Sequence, residues 1–159
     1  MAGPFSHAEL MKLALEQANR AAAMGEVPVG AVVVNAEGEV LAAAHNLRES
    51  ADDPTGHAEL IAMRQAAKAQ GHWRLEGCTV VVTLEPCAMC AGAMVLSRIE
   101  RCVYGAPDPK GGFLGTLDDL SQHPVLNHRF EVVAGVEQDA CSTVLKEFFR
   151  ELRRKKKKG

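Results

Sequence analysis

Cys78-Thr79-Val80-Val81-Val82-Thr83-Leu84-Glu85-Pro86-Cys87-Ala88-Met89-Cys90 is the stretch that decides the fold. From 78 to 84 it is almost wholly apolar, the pattern of a strand covered on both faces. Glu85-Pro86 ends that run, and the proline suits the first turn of a helix expected over about 87–97. Arg101-Cys102-Val103-Tyr104-Gly105 reads as the next strand. A strand, a helix and a strand in succession imply parallel neighbours with helices packed on the sheet.

Toward the N-terminus, Ser6-His7-Ala8-Glu9 matches a capping box, with Phe5 placed to staple onto Leu10. Apolar spacing through Leu10, Leu13, Ala14, Ala18 and Ala21 then predicts a helix ending near Met24. The β-branched run 31–34, the turn Ala36-Glu37-Gly38-Glu39 and the apolar run 40–44 predict a β-hairpin. Residues 45–56 are polar and form a loop, after which Asp53 or Thr55 can cap a helix running from about His57 to a stop at Gly71.

Toward the C-terminus, residues 106–115 are rich in glycine and proline, which fits a loop shaped for binding as well as a plain connector. A short helical turn over 117–120, a strand over 130–136 and an amphipathic helix over about 139–155 complete the chain. The last helix has Val144, Leu145, Phe148, Phe149 and Leu152 on its apolar side. The element order is α-β-β-α-β-α-β-β-α. With neither repeat nor linker, one domain over 1–159 is expected, residues 153–159 being a basic tail.

Composition narrows the class. At 159 residues the chain can bury a real core without disulfide staples, and its 47% apolar content suits a globular protein. No window approaches the roughly 18 uninterrupted apolar residues of a membrane span. Residues 1–7 carry neither a basic start nor an apolar signal core, so a cytoplasmic location is expected. Five cysteines in such a chain are thiols rather than disulfides, available for metal ligation or core packing. The net charge of -2 is uneven: residues 150–158 hold seven basic residues against Glu151 alone, net +6, which leaves -8 on the rest. The body cannot attract nucleic acid by overall charge, and the tail is either a solvated terminus or a local patch.

The chemistry lies at two short motifs. Cys87 and Cys90 are three apart, so on one helical turn both sulfurs face the same way, and a helix N-terminus favours the thiolate that ligates metal. Zinc takes such sulfurs at roughly 2.3 Å and an imidazole nitrogen at about 2.0 Å, and His57, opening the other helix, can supply the nitrogen. Three protein ligands leave a position for water, as in catalytic rather than structural sites. Glu59, about 200° further round a helix than His57, does not ligate easily beside it and is free to move protons. Water adding to an electron-poor ring carbon, with Glu59 delivering protons to a ring nitrogen and to the leaving amine, is hydrolytic deamination. Each motif alone is weak, because Cys-x-x-Cys also serves redox and structural zinc sites. Together, His-x-Glu and Pro-Cys-x-x-Cys form the signature of zinc-dependent base deaminases. Cys78, Cys102 and Cys141 read as small buried hydrophobes.

Longer segments sharpen this. Glu26-Val27-Pro28-Val29-Gly30-Ala31, Asp53-Pro54-Thr55 before His57-Ala58-Glu59, and Thr83-Leu84-Glu85-Pro86-Cys87-Ala88-Met89-Cys90-Ala91-Gly92-Ala93-Met94 belong to a wider pattern. So do Ser97-Arg98-Ile99, Gly105-Ala106 with Asp108 and Lys110, and Asn127-His128-Arg129. Over about residues 5–153 the chain resembles the bacterial tRNA adenosine deaminases, which convert the wobble adenosine of an arginine tRNA to inosine. The resemblance implies an α/β fold of the cytidine deaminase-like kind, three-layer α-β-α around a mixed five-stranded sheet. It implies one zinc ion per subunit held by His57, Cys87 and Cys90, with Glu59 as proton shuttle. It also implies a homodimer acting on a tRNA anticodon stem-loop, with Asn46 contacting the substrate, Asp108 and Lys110 on the loop beside the flipped nucleotides, and Phe149 bordering the pocket. Gly111-Gly112-Phe113-Leu114 departs from the small-residue version found in some members. In an anticodon loop the base leaves its stack at little cost, and the basic tail becomes a phosphate contact.

Two alternatives stay open at this point. The shared zinc chemistry also fits a deaminase of free guanine, cytosine or a nucleoside. From another class, a noncatalytic zinc-containing RNA-binding module has no need for Glu59 beside an open metal position. A bifunctional riboflavin-pathway deaminase would carry a longer zinc motif and a reductase domain.

Overall fold

The computed structural model describes residues 5–158. Met1, Ala2, Gly3 and Pro4, which entered the expectation about export, lie outside the described residues. So do Gly159 and the side chain of Lys158 at the end of the basic tail.

The order is α1 (His7–Ala23), β1 (Gly30–Val34), β2 (Val40–His45), α2 (Ala58–Gln70), β3 (Thr79–Leu84), α3 (Ala88–Leu96), β4 (Arg101–Ala106), β5 (Glu131–Val133) and α4 (Gln138–Lys158). The five strands form one mixed sheet in the order β2-β1-β3-β4-β5. β1 runs antiparallel to both β2 and β3, with a bulge at Val33/Val34 opposite β2. β3 and β4 are parallel, as the strand-helix-strand order predicts, and β5 adds a parallel edge.

Period-two alternation divides the central strands between two cores. Val33, Val80, Val82, Cys102 and Tyr104 face α2 and α3, where Ala58, Ala62, Met63, Met94 and Val95 meet them. Val32, Val34, Val81 and Val103 face the other way, against Leu10, Met11 and Ala14 of α1 and Cys141 of α4. The result is a three-layer α-β-α sandwich. α1 approaches β1 so closely that a Cβ on Gly30 would collide with the Ala14 carbonyl and the Ala18 amide. Among the described residues no helix is long and apolar enough to cross a membrane.

The capping box forms as the sequence predicts: the Glu9 amide donates to Ser6 Oγ at 3.1 Å and the Ser6 amide to Glu9 Oε1 at 2.9 Å. Five local expectations need correction. Neither Asp53 nor Thr55 caps α2; the N-cap is His57, and the free Ala58 N–H is met from outside by Asn46 Oδ1 at 2.9 Å. Asp53 instead closes its own turn, accepting from the Thr55 amide and hydroxyl. Pro86 stands just outside α3, whose N-cap is Cys87, and its carbonyl accepts from the Phe113 amide. Residues 117–120 are not helical: Leu114 and Asp119 make an isolated antiparallel bridge, tied by Gly115 N–H to the Asp118 carbonyl. Lastly, β5 is only three residues long, and α4 runs on through the lysines to Lys158. Lys and Arg are good helix formers, and their charge suits a helix C-terminus.

Candidate active site

Both ligand motifs sit on helix N-termini, and both first ligands are N-cap residues with extended backbone: His57 at φ -86°, ψ 141° and Cys87 at φ -77°, ψ 178°. That removes the difficulty of placing His57 and Glu59 together. Because His57 is not yet helical, its ring leaves the chain in a different direction from the Glu59 carboxyl two residues on.

His57 Nδ1 lies 3.6 Å from Cys87 Sγ and 3.4 Å from Cys90 Sγ. The three ligand atoms all fall within 4.8 Å of one another. Two sulfurs and one imidazole nitrogen at such spacing match the soft donor set that zinc prefers, so the residues present fit that ion. Electrostatics favours the thiolate at Cys87 and the protonated forms of its two neighbours, which share its hydrogen bonds. A hydrogen bond from Cys90 is the largest cause drawing the Cys87 thiol down to about 3, and the same contact, with burial, pushes Cys90 up. The hydrogen bond to Cys87 raises the His57 ring against the effect of burial.

Glu59 is 4% exposed, and burial is the main cause of its rise to about 7, with His57 acting in the opposite sense. A carboxyl near neutrality in a closed site is suited to accept and release a proton. Cys102 is also fully buried, and burial raises it well above an ordinary thiol. It packs with Tyr104 and Val80, as do Cys78 and Cys141 in their own core positions.

The cavity over these groups measures about 160 Å³ and is lined by Val27, Val29, Asn46, Arg48, His57, Glu59, Leu84, Glu85, Cys87 and Asp108. Asn46 and Asp108 therefore meet the metal motif. Lys110 and Phe149 do not. They line a groove of about 590 Å³ together with Leu145, Lys146, Arg150 and Arg153. Phe149 also borders a cavity of about 400 Å³ whose other wall includes Val27, Asn46 and Arg48. Those three residues line the reactive cavity as well, so the two spaces share a wall.

Sequence reasoning missed Arg48 and two buried carboxylates. Glu26 is 1% exposed and accepts from the Ser50 amide and hydroxyl, both at 2.6 Å, and from the Glu49 amide at 3.2 Å. Glu85 is 2% exposed and gathers donors from the 108–116 loop. The available signal was the same in both: a carboxylate beside apolar residues just before a proline, in Glu26-Val27-Pro28 and Leu84-Glu85-Pro86. Arg48 stands in a polar loop with nothing to set it apart.

Comparison with known proteins agrees with this site. The MafB19-like deaminase family matches residues 5–153. The tRNA-specific adenosine deaminase of Bacillus subtilis (strain 168) is 56% identical over 147 residues, 92% of this chain and 91% of that protein. That of Haemophilus influenzae is 45% identical over 149 residues, 94% of this chain and 86% of that protein. A solved structure from biochemical and structural studies of A-to-I editing by tRNA:A34 deaminases superposes with a TM-score of 0.82 at 40% identity, covering 86% of this chain and 98% of that one. By fold and by identity along nearly its whole length, the chain belongs to the MafB19-like deaminases and, within them, to the tRNA-specific adenosine deaminase family.

Proposed function

We propose that this protein hydrolytically deaminates adenosine to inosine at the wobble position of a tRNA, an arginine tRNA being the expected substrate. The observation that carries the reading is the buried Glu59 beside the clustered His57, Cys87 and Cys90 in a cavity of about 160 Å³. Pockets for whole drug-sized ligands run to about 300–1,000 Å³. This one suits a single ring system with its ribose left outside, as a base swung out of an RNA loop would present it.

His57, Cys87 and Cys90 would hold zinc, which when bound would supply Lewis-acid activation of water near neutral pH. Glu59 takes one proton from the attacking water and passes it to N1 of the purine. It then carries the second proton to the amino group on C6, which leaves as ammonia. Val27, Val29 and Leu84 give the cavity apolar walls that exclude further water. Asn46 and Asp108 stand at its edge to bind the nucleotide, while Lys110 and Phe149 meet the neighbouring part of the RNA across the adjoining grooves. Lys110, Lys146, Arg150 and Arg153 with an exposed Phe149 combine phosphate-neutralising charge and a stacking face, which favours RNA over a free base.

The active species is a homodimer in the cytoplasm, each subunit with its own zinc. Support comes from α3, which carries no charged residue and leaves Leu96 71% and Met89 38% exposed. A helix face of this kind is suited to burial against a second copy.

The deciding experiment incubates the protein with an arginine tRNA stem-loop bearing a wobble adenosine, with guanine and with cytidine, and follows ammonia release. Inosine in the RNA is the expected product; release from guanine or cytidine alone would make this a deaminase of free bases or nucleosides, and release from none would return it to a binding module.

A further inference from the structure

We propose that Glu85 is a positioning residue of the reaction, whose carboxylate holds the 108–116 loop against the metal-binding helix and so fixes Asp108 at the mouth of the cavity. The proposal rests on the deaminase reading above.

Glu85 follows the last residue of β3 and precedes the ligand Cys87 by two positions. Its Oε1 accepts from the Asp108 amide at 3.0 Å and from the Thr116 hydroxyl. Its Oε2 accepts from the Leu114 amide at 3.0 Å and the Thr116 amide at 3.1 Å. The backbone adds two ties, from the Glu85 amide to the Ala106 carbonyl and from the Phe113 amide to the Pro86 carbonyl. Among the described residues no Lys or Arg forms an ion pair with this carboxylate.

A buried charge is costly unless hydrogen-bonded, and here both oxygens are used as acceptors by one loop. A glutamine would offer one acceptor oxygen and turn an NH2 group toward donors. The loop also has no slack. A Cβ on Gly112 would run into the Glu85 carboxyl group, so the chain closes directly over it. Asp108 in turn accepts from the Lys110 and Gly111 amides and lines the cavity with Glu59 and Cys87. The rim that meets the substrate and the helix that meets the metal are thereby registered to each other through a single side chain.

The test compares wild-type, Glu85→Gln, Thr116→Val and Thr116→Ser holoenzymes on an RNA stem-loop, with zinc content and amide hydrogen exchange measured alongside. For Glu85→Gln and Thr116→Val the expected result is unchanged zinc, faster exchange confined to the Asp108, Leu114 and Thr116 amides, and a KM raised about tenfold, a factor worth about 1.4 kcal/mol, with kcat much less affected. Thr116→Ser, which restores the hydroxyl, should return KM to the wild-type value. A purely structural role would lower melting temperature and active fraction while leaving KM unmoved, and that result, or exchange unchanged in the loop, would overturn the proposal. If Glu85→Gln does not fold, the Thr116 pair decides. If the wild-type protein leaves the RNA unmodified, the deaminase reading falls, and the exchange arm still tells whether the clamp exists.

Discussion

Asn46 Oδ1 accepts the backbone N–H of Ala58 at 2.9 Å, so a residue at the end of one hairpin strand caps the helix whose first turn carries Glu59. The same side chain lines the reactive cavity. These two duties can be separated. Asn46→Asp keeps the acceptor and should leave thermal stability near wild type, whereas Asn46→Ala loses a cap worth about 0.5–2 kcal/mol. Both should lose most deaminase activity, because neither retains the amide donor proposed to bind the nucleotide. Melting curves and kcat/KM on the stem-loop check the pair.

In the mechanism proposed above Glu59 moves protons and does not ligate. Glu59→Ala should therefore hold zinc at the wild-type ratio and lack measurable turnover, while Cys90→Ala should lose both metal and activity. Elemental analysis of the purified variants distinguishes them, and loss of zinc from Glu59→Ala would contradict the assignment.

The clamp at Glu26 predicts a pH dependence of stability. Burial works upward on this carboxyl, but the hydrogen bonds from Ser50 and Glu49, with the Arg48 charge, outweigh it and hold the group below its usual range. A carboxyl depressed in the folded state adds stability above its unfolded pKa, near 4.5, and loses it as pH falls through the folded value. Glu26→Gln should thus be destabilised by about 1–3 kcal/mol at pH 7, the cost of leaving buried donors unmet. Urea midpoints of the two proteins should converge as the pH drops below about 4, in line with that linkage.

The basic end of α4 predicts salt-dependent RNA binding. Deleting residues 153–159 should weaken stem-loop affinity and flatten the slope of log K against log salt, by roughly one unit for each phosphate that the tail neutralises. Titrations at several ionic strengths read the slope directly, and an unaltered slope would make the tail a solvated helix end.

The α3 surface predicts the state of assembly. Leu96→Glu places a charge at the most exposed apolar position of that helix and should yield monomers in sedimentation experiments, since charged groups are depleted from interface centres.

Much of this was legible in the sequence because the signals are local. The apolar run through Val80, Val81 and Val82 made a doubly covered strand, and the Ser6 and Glu9 pair made a helix start. The clustering of His57, Cys87 and Cys90 was legible because its members come from two short motifs, each at a helix entrance. What escaped was long-range. Asn46 replaced Asp53 as the helix cap from twelve residues away, and Glu85 reaches donors up to 31 residues along the chain. No periodicity encodes such pairings. Phe149 was expected beside the pocket, and the folded chain puts it one cavity further on, behind a wall of Val27, Asn46 and Arg48. Its distance from the metal depends on how α4 crosses the sheet, which no single segment specifies.

The paired carboxylates at Glu26 and Glu85 carry an evolutionary implication. Each anchors a loop at fixed points: Glu26 grips residues 49 and 50, and Glu85 grips residues 108, 114 and 116. Exposed residues such as Pro109 and Lys110 lie outside those grips, so a lineage, or a protein engineer, could exchange them to retarget the rim while the reaction chemistry beneath is inherited intact.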